Sequence, residues 1–153
     1  MRVYLDTNVI CRPFDDQSQE KIANEIAVII KMFVYIGSRM FDVVISDVVL
    51  AELTLIKNPV KRELVELLAT EIAVMRVTVG DNEVRIADLL QDKCKIKDYM
   101  DTLHIASAAV ANCKYFITCD DELTNKAELI KNELSTIGYQ LEILNPLDLF
   151  KED

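Results

Sequence analysis

The sequence has no apolar run that approaches the length of about 20 residues needed to span a lipid bilayer. It also has no basic N-terminal region followed by an apolar stretch, which is the pattern of a secretory signal peptide. Internal repeats, low-complexity segments and linkers are absent as well. From these absences we expect one domain over residues 1–153, located in the cytoplasm and not associated with a membrane.

Soft metal ligands and positive charge are both scarce. The four cysteines form no C-x-x-C pair and His104 is the only histidine, so we expect free thiols and no structural zinc. Lys and Arg number 17 against 26 Asp and Glu, which gives a net charge of −9. Such a chain repels phosphates. Either its partner is not a nucleic acid, or bound cations locally reverse the sign of an acidic pocket.

Apolar residues, by contrast, make up 51% of the chain and form short runs separated by helical patterns. Strands are predicted in the opening Arg2–Ile10 stretch and at Val43–Ile45, Ala73–Val79, Tyr115–Thr118 and Gln140–Leu144. Strands that alternate with helices predict an α/β fold, with a central parallel sheet of about four to five strands flanked by helices. The opening strand is expected to be central.

The helices are predicted from their caps and apolar faces. After a loop over residues 11–17, a long helix is expected from an N-cap at Ser18 to about Ile36, with one apolar face made by Ile22, Ile26, Ile29, Ile30 and Phe33. Further helices are expected after caps at Ser46 and Asp81, from Asn58 to about Glu71, from Tyr99 to Asn112 and from about Asn125 to Ser135. The Tyr99–Asn112 helix is rich in alanine and is expected to pack closely on the sheet.

Four acids are predicted at the carboxyl edge of the sheet, where parallel α/β folds bind ligands. Asp6 follows the first strand and Asp120 follows the Tyr115–Thr118 strand. Glu52 lies on the helix that leaves the second strand, and Asp101 is in the first turn of a helix that begins at the same edge. Clustered carboxylates repel one another, and one or two hard cations such as Mg²⁺ or Mn²⁺ would relieve the repulsion. A metal-loaded acidic cluster suits phosphodiester hydrolysis.

Each acid also has an alternative interpretation. Asp6 alone is equally a turn residue that ends a strand, and Asp101 alone is explained by the helix dipole. Asp120 suits a helix cap, and Asp121 beside it leaves open which of the two is the fourth acid. Glu52 is either a buried carboxylate that needs a partner or an exposed residue of an amphipathic helix. The prediction therefore depends on the arrangement of the four acids.

Other polar residues near this edge are open to two interpretations. His104 follows Asp101 by three residues and either contacts substrate or packs on a neighbouring element, and packing is the favoured interpretation. Nothing lowers the pKa of the Cys119 thiol in an acidic setting, so we do not expect it to act as a nucleophile. Six bases either hold phosphates or are ordinary solvated charges, namely Arg12, Lys57, Lys61, Arg62, Lys95 and Lys97.

Four segments resemble the motifs of PIN-domain ribonucleases and occur in that family's order. They are Tyr4–Ile10, Ser46–Leu53, Asp101–Ala108 and Tyr115–Asp120. The resemblance implies a PIN-like three-layer sandwich and Mg²⁺- or Mn²⁺-dependent endoribonuclease activity. It also implies roles for single residues: Asp6, Glu52, Asp101 and Asp120 as the catalytic and metal-binding acids, and Asn8 and Thr118 as supporting polar groups.

The size of the chain makes it most similar to the VapC-type toxins of toxin–antitoxin pairs. That resemblance implies an RNA substrate, a homodimer and a small antitoxin protein as partner. Two alternatives remain: a non-catalytic binding or scaffold protein of the same fold, and a receiver-type phosphotransfer domain. The receiver type needs an acid pair near the first strand, where Asp6 stands alone.

Overall fold

A five-stranded parallel sheet forms the centre of the computed structural model, which describes residues 1–151. The strands are β1 (Arg2–Leu5), β2 (Asp42–Ser46), β3 (Ala73–Val77), β4 (Tyr115–Ile117) and β5 (Glu142–Leu144). They lie in the order β3-β2-β1-β4-β5, and every pairing is parallel. The predicted α/β fold with a central opening strand is therefore confirmed.

Within residues 1–151, eight α-helices connect and flank the strands. They are α1 (Thr7–Cys11), α2 (Glu20–Gly37), α3 (Asp47–Leu53), α4 (Pro59–Ile72), α5 (Asp81–Cys94), α6 (Tyr99–Val110), α7 (Asp121–Asn125) and α8 (Ala127–Thr136). The strand order reverses direction between β1 and β4, so right-handed crossovers place α2–α4 and α5–α8 on opposite faces of the sheet. The topological switch point of the sheet, where such folds bind ligands, therefore lies at the carboxyl ends of β1 and β4.

The segment after β1 differs from its prediction. Residues 11–17 were expected to form a loop, but α1 runs through Cys11 and a 3₁₀ turn follows at Arg12–Phe14. The long helix α2 begins at Glu20, with Gln19 rather than Ser18 as its N-cap residue. The backbone N–H of Ser18 donates instead to the Asp16 side chain at 2.8 Å, so Ser18 belongs to a local turn before the helix.

The buried face of α2 also differs from the expected apolar stripe. Ile26, Ile29 and Met32 are buried, whereas Ile30 is 56% exposed. The helix is rotated because Glu25 points inward and is fully buried. Its Oε2 accepts a hydrogen bond from Asn145 at 2.6 Å, which lies 120 positions further along the chain.

Several element ends are shifted from their predicted positions by side-chain hydrogen bonds or backbone geometry. β3 ends at Val77 instead of Val79, because Val79 N donates to Asp47 Oδ2 at 3.3 Å. Gly80, not Asp81, is the N-cap residue of α5, and its N–H donates to Glu83 Oε2 at 3.1 Å. The helix expected from about Asn125 to Ser135 is α8, which begins at Ala127, and the separate short helix α7 precedes it.

The alanine-rich helix α6 packs closely on the sheet, as predicted. Ala106, Ala108 and Ala109 are buried, and the helix contacts β2, β4 and α5. All four cysteines are free thiols. None of the helices in residues 1–151 is long and apolar enough to cross a membrane.

The close approach of α6 predicts a cost for larger side chains. Ala108→Leu should lower the free energy of unfolding by about 1–3 kcal/mol, because the added methyl groups have no space in a packed core. Ala27→Leu, at an exposed position of α2, is the matched control and should change stability little. Urea unfolding of both variants measures the difference. Equal effects would show that α6 is not tightly packed.

Candidate functional site

Asp6 lies where the central strand becomes a helix. Its backbone N–H donates to Ile117 O of β4 at 3.0 Å, and its side chain caps α1 by accepting from Thr7 N at 2.8 Å. The residue is only 3% exposed. An N-cap acid after a strand tip is locally favoured, since a carboxylate satisfies the free N–H groups of the first helical turn. The strand and the helix together fix this carboxylate at the switch point of the sheet.

Thr118 and Asn8 hold the second oxygen of Asp6. Thr118 Oγ1 donates to Asp6 Oδ2 at 2.8 Å, and Asn8 Nδ2 lies 3.2 Å from the same oxygen. Asn8 Oδ1 in turn accepts from Cys119 N at 3.0 Å, and Thr118 Oγ1 accepts from Asp120 N at 3.0 Å. Burial raises the pKa of Asp6, although the nearby His104 and the Thr118 hydroxyl oppose this.

Glu52 reaches the site from α3 and is partly buried. Its Oε1 accepts from Thr7 Oγ1 at 2.8 Å and also contacts His104 Nε2. Burial favours the neutral acid, but the hydrogen bonds from His104 and Thr7 outweigh it and lower the pKa of Glu52. The imidazole of His104, on α6, is therefore a hydrogen-bond partner for the partly buried Glu52 carboxylate.

His104 is fully buried and contacts groups on both sides of its ring. Nδ1 lies 2.7 Å from Tyr4 Oη, which is 2.6 Å from Ser46 Oγ, while Nε2 contacts Glu52 and lies 3.6 Å from Asp6 Oδ1. Burial opposes the charged imidazolium, yet the Glu52 hydrogen bond and the Asp6 charge raise the pKa of His104. His104 is packed in the core, as the favoured interpretation expected, but no sequence pattern indicated these polar partners.

Tyr4 and Ser46 are the polar neighbours that sequence reasoning missed at this site. Ser46 was recognised only as a helix cap, and it does accept from Val48 N at 3.2 Å. Tyr4 lies in a strand that is buried on both faces. Such a strand shows no alternation of apolar and polar residues, so the sequence could not indicate on which face of the sheet the Tyr4 hydroxyl lies. Burial raises the pKa of Tyr4 well above its usual value, so the hydroxyl keeps its proton.

The structure brings three potential ligands into one tight group. Asp6, Glu52 and His104 each offer a ligand atom, and these atoms lie within 4.8 Å of one another. Asp101 and Asp120 are not in this group. Asp101 is nevertheless close enough to feel the acids: burial, followed by the charges of Asp6, Asp98 and Asp120, raises its pKa to about 7.

Asp120 and Asp121 occupy different environments. Asp120 is partly buried and is the N-cap residue of α7, where its Oδ1 accepts from Glu122 N at 2.9 Å. The side chain of Asp121 is 72% exposed and pairs with Lys21 at 2.7 Å. Only Asp120 of the two contributes to the raised pKa of Asp101. Asp120 is thus the acid of this pair whose charge acts on Asp101.

Three of the six predicted basic residues are engaged with other groups of the chain. Arg12 Nη1 pairs with Asp15 at 3.0 Å and its Nε lies 3.4 Å from Glu25 Oε1, while Lys61 lies 3.5 Å from Asp15. Arg62 donates to the carbonyl of Ile56 at 3.0 Å, whereas Lys57, Lys95 and Lys97 are exposed. Burial raises the pKa of the Cys119 thiol to about 12, so this residue is not a nucleophile.

The donor set fits a divalent cation. Carboxylate oxygens are the ligands that Mg²⁺ and Mn²⁺ prefer, and an imidazole nitrogen is a common ligand of transition metals. Burial is the largest cause of the raised pKa of Asp101, and the charges of neighbouring acids add to it; a bound cation would favour the ionised form against both. The arrangement can therefore hold a cation against several acids at the open end of the sheet.

Comparison with known proteins identifies the fold. The family model of the PIN domain matches residues 3–129. No curated protein matches the sequence. Among solved structures, one similar chain belongs to VapBC2 from Rickettsia felis, which was solved bound to a DNA fragment from its promoter. The TM-score is 0.61 and the sequence identity is 16%, and the match covers 95% of this chain and 98% of that chain. FitAcB from Neisseria gonorrhoeae has a TM-score of 0.58 and 16% identity, over 96% of this chain and 99% of that chain.

The two kinds of similarity have different weight. At 16% identity the solved structures establish a shared fold, which agrees with the PIN-like three-layer sandwich expected from the motifs. The family model matches most of the chain, from within β1 to the start of α8. The four motif segments all lie inside the matched residues. The chain therefore belongs to the PIN domain family.

Proposed function

We propose that this protein is a metal-dependent endoribonuclease that hydrolyses RNA phosphodiester bonds. The observation that carries the proposal is the convergence of Asp6 and Glu52 at the switch point of the sheet, with Asp101 near enough that the charges of Asp6 and Asp120 add to the effect of burial on its pKa. Membership of the PIN domain family supports it. Fixed carboxylates that repel one another at an open edge are a costly arrangement unless a cation binds there.

Each predicted site residue has a role in this proposal. Asp6, Glu52, Asp101 and Asp120 would hold Mg²⁺ or Mn²⁺, and Asn8 and Thr118 fix the orientation of Asp6 through its Oδ2. The cation would supply positive charge for a phosphoryl group and make hydroxide available from water near neutral pH. Thr7 connects the two tightly placed acids, since its N–H binds Asp6 and its hydroxyl binds Glu52.

We further propose that the protein is the toxin of a toxin–antitoxin pair, with a small antitoxin partner and a homodimeric state. The fold shared with VapBC2 supports this, together with the resemblance of the motifs. An outward-facing apolar stripe on α4, made by Val60, Leu64 and Leu67, gives a protein partner a surface to cover. A neighbouring gene for a small DNA-binding protein would favour a toxin over a housekeeping nuclease.

The non-catalytic alternative is separated from this proposal by metal binding. A scaffold of the same fold has no need for Mg²⁺ or Mn²⁺, so calorimetric titration without detectable heat would favour it. No observation favours the receiver-type alternative, because Asp6 has no second acid beside it at the end of β1.

Loss of one carboxylate at the centre of the site should abolish cleavage. Asp6→Asn and Asp101→Asn should each lower RNA cleavage by more than about a hundredfold, because removing a direct ligand costs more than removing an outer hydrogen-bond partner. The fold should survive in Asp6→Asn, since Asn caps helices as well as Asp does. Asp92→Asn, on the exposed face of α5, is the control. Full activity in either site variant would contradict the mechanism.

Asp120 and Asp121 offer a matched pair for the fourth acid. Asp120→Asn should weaken Mn²⁺ binding in calorimetry and slow RNA cleavage, because it removes a charge that acts on Asp101. Asp121→Asn should leave both unchanged, since that side chain is exposed and paired with Lys21. The opposite order of effects would assign the fourth position to Asp121.

Ionisation of Asp101, which burial and the neighbouring acids disfavour, should make the metal-free protein less stable as pH rises. Its pKa is raised from 3.8 to about 7, so the folded state binds this proton more tightly than the unfolded chain. The resulting stability is complete below the ordinary pKa and is lost as pH rises through about 7.

The Asp101→Asn variant tests this directly. In EDTA the melting temperature of the variant should rise relative to that of the unmodified protein as pH increases. The difference should be about 2–4 °C for each kcal/mol of destabilisation that the substitution removes. Added Mg²⁺ should stabilise the unmodified protein more than the variant. Asp92→Asn should follow the unmodified protein throughout. Parallel melting profiles for all three proteins would contradict the repulsion.

A further inference from the structure

We propose that His104 is itself a ligand of the metal ion in this site, through Nε2, and that Tyr4 and Ser46 position its ring. This inference rests on the proposed function and adds an imidazole to its four acids. Nε2 contacts Glu52 Oε1 and lies 3.6 Å from Asp6 Oδ1, so donor atoms from the junction of β1 with α1, from α3 and from α6 face one small volume. The other two acids, Asp101 and Asp120, lie outside this tight group.

The ring is held as metal-binding histidines are held. A ligating imidazole typically donates its second N–H to an oxygen, which fixes the ring and leaves the other nitrogen for the metal. In this structure Nδ1 lies 2.7 Å from Tyr4 Oη, and that hydroxyl is 2.6 Å from Ser46 Oγ. Tyr4, Ser46 and His104 are all fully buried, so water cannot replace these contacts without repacking the core.

The hydrogen bonds leave one nitrogen available to a cation. The chain of contacts is satisfied when Nδ1–H donates to Tyr4 Oη and the Tyr4 hydroxyl donates to Ser46 Oγ, because Ser46 Oγ has lone pairs for both Tyr4 and Val48 N. Nε2 is then the ring nitrogen that faces the carboxylates, where it contacts Glu52 Oε1 and lies 3.6 Å from Asp6 Oδ1. With a metal ion in this site, His104, Glu52 and Asp6 would hold it, and the imidazole would bind as the neutral base.

A nitrogen ligand changes which cation the site prefers. Oxygen-only sites suit Mg²⁺, whereas imidazole is a ligand that transition metals accept more readily. The site should therefore bind Mn²⁺ more tightly than Mg²⁺, and the difference between the two affinities should depend on His104. A histidine that merely paired with Glu52 would affect both cations alike, because it would act only through the orientation of the carboxylate.

Isotope labelling tests the ligand directly, because His104 is the only histidine of the chain. The protein is produced without a polyhistidine tag, once unlabelled and once with [¹⁵N]histidine, and each sample is loaded with less than one equivalent of Mn²⁺. Pulsed electron paramagnetic resonance should show nuclear modulation from a coordinated ¹⁴N in the first sample and from ¹⁵N in the second. This experiment uses the unmodified chain, so it does not depend on the folding of a variant.

The outcomes separate this inference from the proposed function. Mn²⁺ that binds without any coupling to the labelled nitrogen would overturn the role of His104 and leave the nuclease proposal intact. Failure of the protein to bind Mn²⁺ at all would overturn both. Coupling that changes with the label supports His104 as a ligand.

Calorimetry of variants measures the preference for Mn²⁺. His104→Gln should lower Mn²⁺ affinity by at least about tenfold and lower Mg²⁺ affinity less, so that the ratio of the two falls. Tyr4→Phe should lower Mn²⁺ affinity by about tenfold through loss of the outer hydrogen bond. Tyr139→Phe makes the same change beside the amino end of β5 and should have no effect. Equal losses for both cations in His104→Gln would overturn the inference.

Discussion

The Asp6 carboxylate is almost completely buried at the end of the central strand, and a carboxylate in that position must be hydrogen-bonded or neutralised to be tolerated. Thr7 N and Thr118 Oγ1 supply short hydrogen bonds, and Asn8 links Asp6 to the backbone after β4. These bonds also begin α1 and hold the ends of β1 and β4 together. The contacts that permit burial are thus the contacts that build the site.

Glu52, Asp101 and His104 add charges around this fixed point, and only some of them are matched. His104 contacts Glu52, and this hydrogen bond lowers the pKa of that acid against the effect of burial. Asp101 has no such contact, and burial together with the neighbouring acids raises its pKa to about 7. The imidazole therefore stabilises the charge of Glu52 but leaves Asp101 beside other acids. This remaining acidic charge is the electrostatic reason for expecting a cation in the cluster.

Local sequence patterns predicted the parts of the structure that depend on neighbouring residues. The apolar runs of β1, β2 and β4, and the acids that follow them, were predicted because a strand and its terminal residue are set within a few positions. The rotation of α2 was not, since buried Glu25 depends on Asn145 from the end of the chain. The environment of His104 was missed for the same reason: Tyr4 is 100 positions away. Single-sequence patterns locate elements, whereas pairings between distant elements decide which polar groups become partners.

The charge of the chain connects RNA binding with stability on the proposed function. Arg12 and Lys61, two bases near the site, already pair with Asp15, so part of their charge is used within the chain. A cation at the acidic cluster would reverse the local potential for an RNA chain. The same ion, bound to the folded state and not to the unfolded chain, would also stabilise the fold by mass action. Substrate approach and relief of carboxylate repulsion would then depend on one binding event, which would allow a chain with a net charge of −9 to act on a polyanion.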